Sequence, residues 1–282
     1  MGPTLTIGHH TPDGQVVHQI TIPQLGLGVF LMGKAGECTQ ACLWALKAGY
    51  RHIDTAMAYE NEHEVGVALA QCGIPREEIF VTTKLRRPHA VGFEEVQKRC
   101  RQSLENLGLD YVDLYLVHAP PEDLAHREPT WKGMEACLDN GWTKAIGVSN
   151  YGAHHLEAMK SYAKYLPAVN QIEVNPWLQR AELRAMNAEI GAATMAYSPL
   201  ARGHKIADEN VVAIAARIGC SPAQVAIKWC VDQGCITIPK SSDKGRISEN
   251  LASLGYDLSS EDSALKKLDE NYISGWDPTT EA

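Results

Sequence analysis

The chain has 282 residues, 45% of them hydrophobic, and carries 26 Lys and Arg against 34 Asp and Glu, a formal net charge of −8. That is the composition of a globular protein with a full core; 23 Gly and 14 Pro, both near average usage, exclude collagen-like, low-complexity and mostly disordered chains. The acidic balance, with pI ≈ 5.8, speaks against nucleic acid or a basic membrane-surface patch.

The first ten residues, Met1 to His10, lack the basic and apolar regions of an export signal. No stretch approaches the roughly 18 apolar residues of a spanning helix, so neither export nor a membrane span is expected. Gly2 and Thr6 match a loose myristoylation pattern that Pro3 spoils. Eight cysteines show no CxxC pair, and the chain has no N-x-S/T sequon, a combination that fits a reducing cytoplasm. Cys38 and Cys42, one helical turn apart, read as small core residues, and no metal is expected.

In chain order, a hairpin comes first, with strands Leu5–Ile7 and Val16–Ile20 about a Pro12-Asp13-Gly14 turn. Short apolar strands then alternate with longer segments of helical period. The strands are Gln24–Leu27, His52–Asp54, Ile79–Thr83, Val112–Val117, Ala145–Val148, Ala168–Ile172, Ala193–Ala196 and Cys235–Ile238. The helices are Thr39–Ala48, Glu62–Gln71, Phe93–Leu107, Thr130–Asn140, Ala153–Tyr162, Arg180–Ile190, Asn210–Ile218 with Pro222–Asp232, and Asp243–Leu254. Continuous apolar strands between helices call for a parallel sheet buried on both faces, and eight such units predict a (β/α)8 TIM barrel. No linker or shift of composition divides the chain, so one domain over 1–282 is expected, its N-terminal hairpin capping the barrel bottom. A doubly wound dinucleotide fold is the competitor, but after Gly26-Leu27-Gly28 the third glycine position of its fingerprint is Leu31.

A barrel places its chemistry at the C-terminal ends of the strands. Polar residues interrupt the apolar runs there: Asp54, Lys84, His118, Ser149-Asn150, Gln171 with Glu173, Tyr197-Ser198 and Lys240-Ser241. Singly they are weak signals, since a lone histidine after a strand is more often a satisfied structural residue and Asp54 could cap a helix. Together, Asp54, Tyr59, Lys84 and His118 would share one mouth. Lys84, paired with Asp54, is expected to stay charged and to draw the Tyr59 phenol down from about 10 toward working pH, which prepares a general acid. A neutral His118 would donate to the substrate oxygen and hold it against Tyr59.

Seven motifs carry a resemblance: His52-Ile53-Asp54-Thr55-Ala56 with Tyr59-Glu60-Asn61-Glu62, Val81-Thr82-Thr83-Lys84-Leu85, Leu116-Val117-His118-Ala119-Pro120, Gly147-Val148-Ser149-Asn150-Tyr151, Val169-Asn170-Gln171-Ile172-Glu173, Ala196-Tyr197-Ser198-Pro199-Leu200 and Ile238-Pro239-Lys240-Ser241. In this order, between Gly26 and Asn250, the sequence resembles the aldo-keto reductase superfamily, and its short loops are most similar to compact members such as diketogluconate reductases and prostaglandin F synthases. The resemblance implies NADPH-dependent reduction of an aldehyde or ketone to an alcohol. Tyr59 matches the proton donor, Lys84 its activator, Asp54 the partner of Lys84, and His118 the residue that orients the carbonyl. Ser149, Asn150 and Gln171 match positions holding the nicotinamide carboxamide, and Tyr197 the one stacked on the ring.

The same resemblance assigns Gly28, Val29 and Asp54 to the cofactor-lined mouth, and Ser198 and Leu200 to the pyrophosphate. Lys240, Ser241 and Arg246 match a clamp on the adenosine 2′-phosphate, and Glu249 and Asn250 its adenine contacts. Two cations and a hydroxyl at a helix start are what a dianionic phosphate requires. Asp243 departs from the family, which commonly has a neutral residue there. Phe30, Arg86 and Ala119 replace common tryptophans around the pocket, so a wider, more polar pocket is implied, with Arg86 and Arg87 offering affinity for carboxylated carbonyls. A monomer with a small-molecule substrate is expected. Two other classes compete: a barrel aldolase using Lys84 as Schiff-base nucleophile, which Asp54 opposes by stabilising the charged amine, and a non-catalytic nucleotide-binding regulatory subunit, which has no need of Tyr59.

Overall fold

The computed structural model describes residues 2–281. Met1, at the start of the segment expected to carry no export signal, and Ala282 lie outside them. An antiparallel hairpin, β1 (Thr4–His10) and β2 (Val16–Pro23), opens the chain. Eight strands follow: β3 (Leu27–Gly28), β4 (His52–Asp54), β5 (Phe80–Leu85), β6 (Val112–Val117), β7 (Thr143–Ser149), β8 (Val169–Glu173), β9 (Ala193–Tyr197) and β10 (Ile236–Thr237). Each pairs in parallel with its neighbour in sequence.

The sheet closes between its first and last strands. Gly26 N donates to Thr237 O at 2.9 Å, Thr237 N to Gln24 O at 2.7 Å and Gly28 N to Pro239 O at 3.1 Å. Gly28 suits this seam because a Cβ there would stand 3.0 Å from the Ile238 carbonyl oxygen. This is the expected (β/α)8 barrel, with helices α1 (Glu37–Ala48), α2 (Glu62–Gln71), α3 (Phe93–Leu107), α4 (Arg127–Asp139), α5 (Ala153–Met159), α6 (Ala181–Glu189), α7 (Glu209–Ile218), α8 (Pro222–Asp232), α9 (Lys244–Ala252) and α10 (Asp262–Lys266) outside it.

The bounds of β4, β6, α2, α3 and α8 are those expected from the sequence. Others shift by a few residues. The helix expected from Thr130 begins at Arg127, because Pro129 falls in the first turn, where its missing N–H breaks no helical bond. The strand expected from Gln24 begins at Leu27, since Gln24 to Gly26 make only single bridging bonds across the seam. The core has two layers. Phe80, Leu114, Leu116, Ala145, Met195 and Ile236 fill the barrel, joined by Ile7 and Ile22 of the hairpin. Val81, Leu85, Tyr115, Val117, Ile146 and Val148 face the helices. The hairpin therefore plugs the end of the barrel opposite the strand C-termini. Among the described residues no single helix is long and apolar enough to cross a membrane; α7 and α8 reach that length only together, bent by 87°.

His9 fastens this plug and gives it an acid sensitivity. It is fully buried, its Nδ1 lies 2.8 Å from Leu166 O, and its Nε2 accepts from Ile146 N at 3.1 Å. Those partners hold the ring neutral with its proton on Nδ1. Burial lowers its pKa from 6.5 to about 4. Below pH 6.5 the unfolded chain takes up a proton that the folded chain refuses, so stability is full above 6.5 and declines as pH falls toward 4. His9→Gln, which keeps one donor and one acceptor without a titratable ring, is expected to lose about 2–3 kcal/mol less than the parent between pH 7 and pH 4.5 in urea unfolding. Equal acid losses in the two proteins would contradict this role.

Candidate active site

Alternation along β4 and β5 turns His52, Asp54, Thr82 and Lys84 into the barrel and Thr83 and Leu85 toward the helices. Lys84 is fully buried, and its three N–H groups find three acceptors: Asp54 Oδ1 at 2.6 Å, Thr55 O at 2.8 Å and Tyr59 OH at 3.3 Å. The other oxygen of Asp54 accepts from Gln171 Nε2 at 2.8 Å. Burial draws the Lys84 ammonium down and the Asp54 carboxyl up, while their contact and hydrogen bonds oppose both movements. With each ammonium proton and each carboxylate oxygen paired, the ion pair is the state that satisfies every buried group.

Tyr59 closes a short turn, Met57–Tyr59, that Glu60 ends in the left-handed region at φ 58°. The buried Asn61 holds this turn in place, accepting from Thr55 Oγ1 and donating to Val29 O, both at 2.9 Å. The Tyr59 ring packs between Phe30 and His118, with ring centroids 4.9 and 5.6 Å away. Here the structure corrects an expectation. Lys84 does not bring the phenol toward working pH; burial and the charge of Asp54 push it well above its usual value of 10. The physical reason is first burial, which disfavours the charged phenolate, and then the nearby Asp54 carboxylate; the ammonium, 2.6 Å from the carboxylate and 3.3 Å from the phenol, does not reverse that direction. Burial thus favours the protonated phenol at Tyr59.

His118 follows β6, its N–H donating to Leu85 O at 3.1 Å. Burial and the Lys84 charge push its imidazole down to about 3, so it is neutral at any working pH. A hydrogen-bonded network joins it to the next strand ends: Asn150 Nδ2 donates to His118 O at 2.9 Å, Tyr197 OH to Asn150 Oδ1 at 2.8 Å, and Ser149 Oγ to Gln171 O at 2.8 Å. Val29 N donates to Asp54 O at 3.1 Å, which brings the end of β3 to the same mouth. Ser198, at φ 47°, and the half-buried Leu200 follow β9.

At the start of α9, Lys240 and Arg246 are exposed and Ser241 is buried. Asp243 caps this helix, its Oδ1 accepting from Arg246 N at 2.9 Å, and that amide bond holds the carboxyl below its usual range. Glu249 accepts from Gln224 Nε2 at its backbone carbonyl, and Asn250 is buried. Around the substrate side, Phe30 is 43% exposed and Ala119 is fully buried. Arg86 is half exposed and reaches Glu60 at 3.5 Å. Arg87 turns elsewhere, donating to Pro120 O at 3.0 Å, pairing with Glu281 and lying over Trp276.

Two groups of residues at the site carry no role in the sequence reading. One is the segment from Ser274 to Glu281, which crosses the strand-end loops: Ser274 N donates to Glu173 Oε1 at 3.2 Å, and Asp277 pairs with Arg180 at 2.6 Å. A Cβ on Gly152 would collide with the carbonyl oxygen of Thr279, so the segment also rests directly on the start of α5. It has neither helical nor strand period to signal it. The other is Asn61, Glu62 and Thr83, which stand within quoted motifs but whose bonds emerge only in three dimensions.

The strand ends of a closed parallel barrel thus gather a buried lysine–carboxylate pair and a phenol at the mouth where such barrels carry their chemistry. Residues 26–270 match the Aldo/keto reductase family, and the chain belongs to it. It is 46% identical over 261 residues to an aldo-keto reductase of Mycolicibacterium vanbaalenii, covering 92% of this chain and 93% of that one. It is 41% identical to methylglyoxal reductase DkgA of Salmonella typhimurium, covering 94% of each chain. An aldo-keto reductase of Bombyx mori, solved in complex with NADP, superposes with a TM-score of 0.87 at 34% identity, over 98% of this chain and 95% of that one. The protein is accordingly an NADP-dependent oxidoreductase acting on carbonyl groups, similar to the family's compact members.

Proposed function

We propose that this protein reduces a small aldehyde or ketone to the alcohol with NADPH, Tyr59 donating the proton. The observation that carries the reading is the triple coordination of Lys84 Nζ by Asp54, Thr55 and Tyr59. The carbonyl oxygen would sit between Tyr59 OH and the neutral ring of His118, which orients it. As negative charge builds on that oxygen, Tyr59 gives up its proton, and the ammonium of Lys84 stabilises the phenolate left behind. NADPH, when bound, supplies the hydride. The same coordination disfavours an aldolase, because a Schiff-base nucleophile needs a neutral amine with a free lone pair.

The residues present fit that cofactor. Ser149, Asn150 and Gln171 offer the hydroxyl and amide groups that a carboxamide needs, beside the half-buried ring of Tyr197. Gly28, Val29 and Asp54 would line the mouth, Ser198 and Leu200 the pyrophosphate, and Glu249 and Asn250 the adenine. Lys240, Ser241 and Arg246 would hold the 2′-phosphate at the start of α9. Asp243 is already engaged as the helix cap. Arg246→Ala is expected to weaken NADPH binding tenfold to a hundredfold, the equivalent of one charge-assisted bond of about 1.5–3 kcal/mol, and to leave NADH binding within twofold. Fluorescence titration with each cofactor reads this directly. Equal losses for both would assign Arg246 a structural role.

For the substrate, the relative that reduces methylglyoxal and the aromatic face of Phe30 support a small carbonyl with one apolar side. Arg86 already shares its charge with Glu60 at 3.5 Å, so any advantage of carboxylated carbonyls is expected to stay below about fivefold. We further propose a monomer of one domain, in the cytoplasm, the eight free thiols being suited to a reducing compartment. The test is NADPH oxidation by the purified protein against methylglyoxal, other aldehydes, keto acids and quinones. Turnover of at least one aldehyde supports the reading, and none above the enzyme-free rate with any of them overturns it.

A further inference from the structure

Glu62 is 2% exposed and opens α2, three residues after Tyr59. Its Oε1 accepts from Thr83 Oγ1 at 2.6 Å and its Oε2 from Asn106 Nδ2 at 3.0 Å. Among the other buried acids, Asp54 has Lys84 bonded to it and Asp113 has Arg76 and Lys144, whereas Glu135 and Glu173 accept from neutral donors. The bonded partners of Glu62 among the described residues are neutral. Burying a carboxylate on neutral donors costs free energy that two hydrogen bonds and a helix N-terminus only partly offset. Such a group calls for a use.

Its place suggests one. Thr83 and Lys84 are consecutive in β5 and point to opposite faces, so two carboxylates flank this strand: Asp54 binds Lys84 inside the barrel, and Glu62 binds Thr83 outside it. We propose that Glu62 is a positioning residue for the proton-donating pair, fixing β5 through Thr83 and holding the Lys84 ammonium charged from behind the strand. This rests on the reading of Tyr59 and Lys84 given above. The attraction of Glu62 does favour the charged form of Lys84. The other groups facing Lys84 are Asp54, Tyr59 and the neutral rings of His52 and His118. Those facing Glu62 are Thr83, Asn106 and the buried Tyr115 phenol of β6, with Arg99 of α3 acting on that phenol.

The test is Glu62→Gln in the full chain, which keeps the shape and an oxygen for Thr83 but removes the charge. The titration of Lys84 Nζ is followed by NMR of the cofactor-free protein labelled with 15Nζ-lysine, the signal being assigned by its absence from Lys84→Met. It is expected to move to lower pH by about half to one unit. In turnover, kcat is expected to fall about five- to tenfold with KM within twofold, and the alkaline limb of kcat to move by the same amount as the titration. Thr83→Val, which leaves the charge, is expected to lower kcat without moving the titration. Should Glu62→Gln not fold, Glu62→Met with Thr83→Val removes both partners together, and the same titration is read. An Nζ titration that coincides with the parent's, or a lower kcat with the limb unmoved, overturns the proposal. A parent that reduces no carbonyl overturns the proposed function instead, and the Nζ titration still decides the role of Glu62.

Discussion

Tyr59→Phe is expected to lower kcat for carbonyl reduction by about 10²- to 10⁴-fold, the range for removing a positioned general acid, while NADPH affinity stays within threefold. The phenol is the hydroxyl group that reaches Lys84 Nζ, at 3.3 Å, and its ring is held between Phe30 and His118. Phenylalanine keeps those ring contacts and removes the oxygen alone, so folding is expected to survive. Cofactor affinity, measured by fluorescence quenching, separates a lost proton from a damaged pocket. A variant that keeps kcat within tenfold of the parent would remove Tyr59 from the proton-donating role.

Lys84→Met has the second largest expected effect, and it acts on stability as well as rate. The substitution strands Asp54, 1% exposed, with Gln171 as its remaining side-chain partner. Breaking a buried ion pair from one side typically costs about 3–5 kcal/mol, and kcat is expected to fall by about 10²-fold or more as the phenolate loses its stabilising charge. An orphaned Asp54 would carry a folded-state pKa above its unfolded value, so the native state binds the extra proton and the stability penalty shrinks as pH falls. Removing the second charge as well, in Lys84→Met with Asp54→Leu, is expected to restore most of the stability and none of the activity. Urea unfolding at pH 8 and pH 5, with kcat for each variant, checks both halves. A single variant as stable as the parent at pH 8 would mean that the pair is not ionised.

Much of this site is legible in the sequence because a buried parallel barrel leaves few places for polar residues. In a run such as Leu114-Tyr115-Leu116-Val117 followed by His118, a polar group at the strand end stands out from an otherwise apolar segment. The bounds of β4 and β6 follow from the sequence, while those of the other barrel strands shift by one to three residues. What the pattern could not carry was depth and distance. The direction of the Tyr59 shift turns first on how deeply the phenol is buried and then on its closeness to the Asp54 carboxylate, and residue types alone give neither. Arg86 and Arg87 are adjacent in sequence, yet one meets Glu60 at the rim and the other binds the C-terminal segment. That segment is held by side chains from distant loops, Glu173, Arg180 and Arg87, and so has no periodicity of its own. Glu62 lies in plain view beside Tyr59 in the chain, but its meaning depends on Thr83, 21 residues away.

The most direct test of the central claim follows the transferred atom. NADPH deuterated at the nicotinamide C4 is incubated with the purified protein and methylglyoxal, and the product is examined by mass spectrometry alongside the NADPH consumed. One deuterium on the former carbonyl carbon of each alcohol, with one NADPH oxidised per product and both abolished in Tyr59→Phe, is the predicted result. Substrate captured on Lys84 by borohydride, with no deuterium in any product and no NADPH consumed, would contradict it.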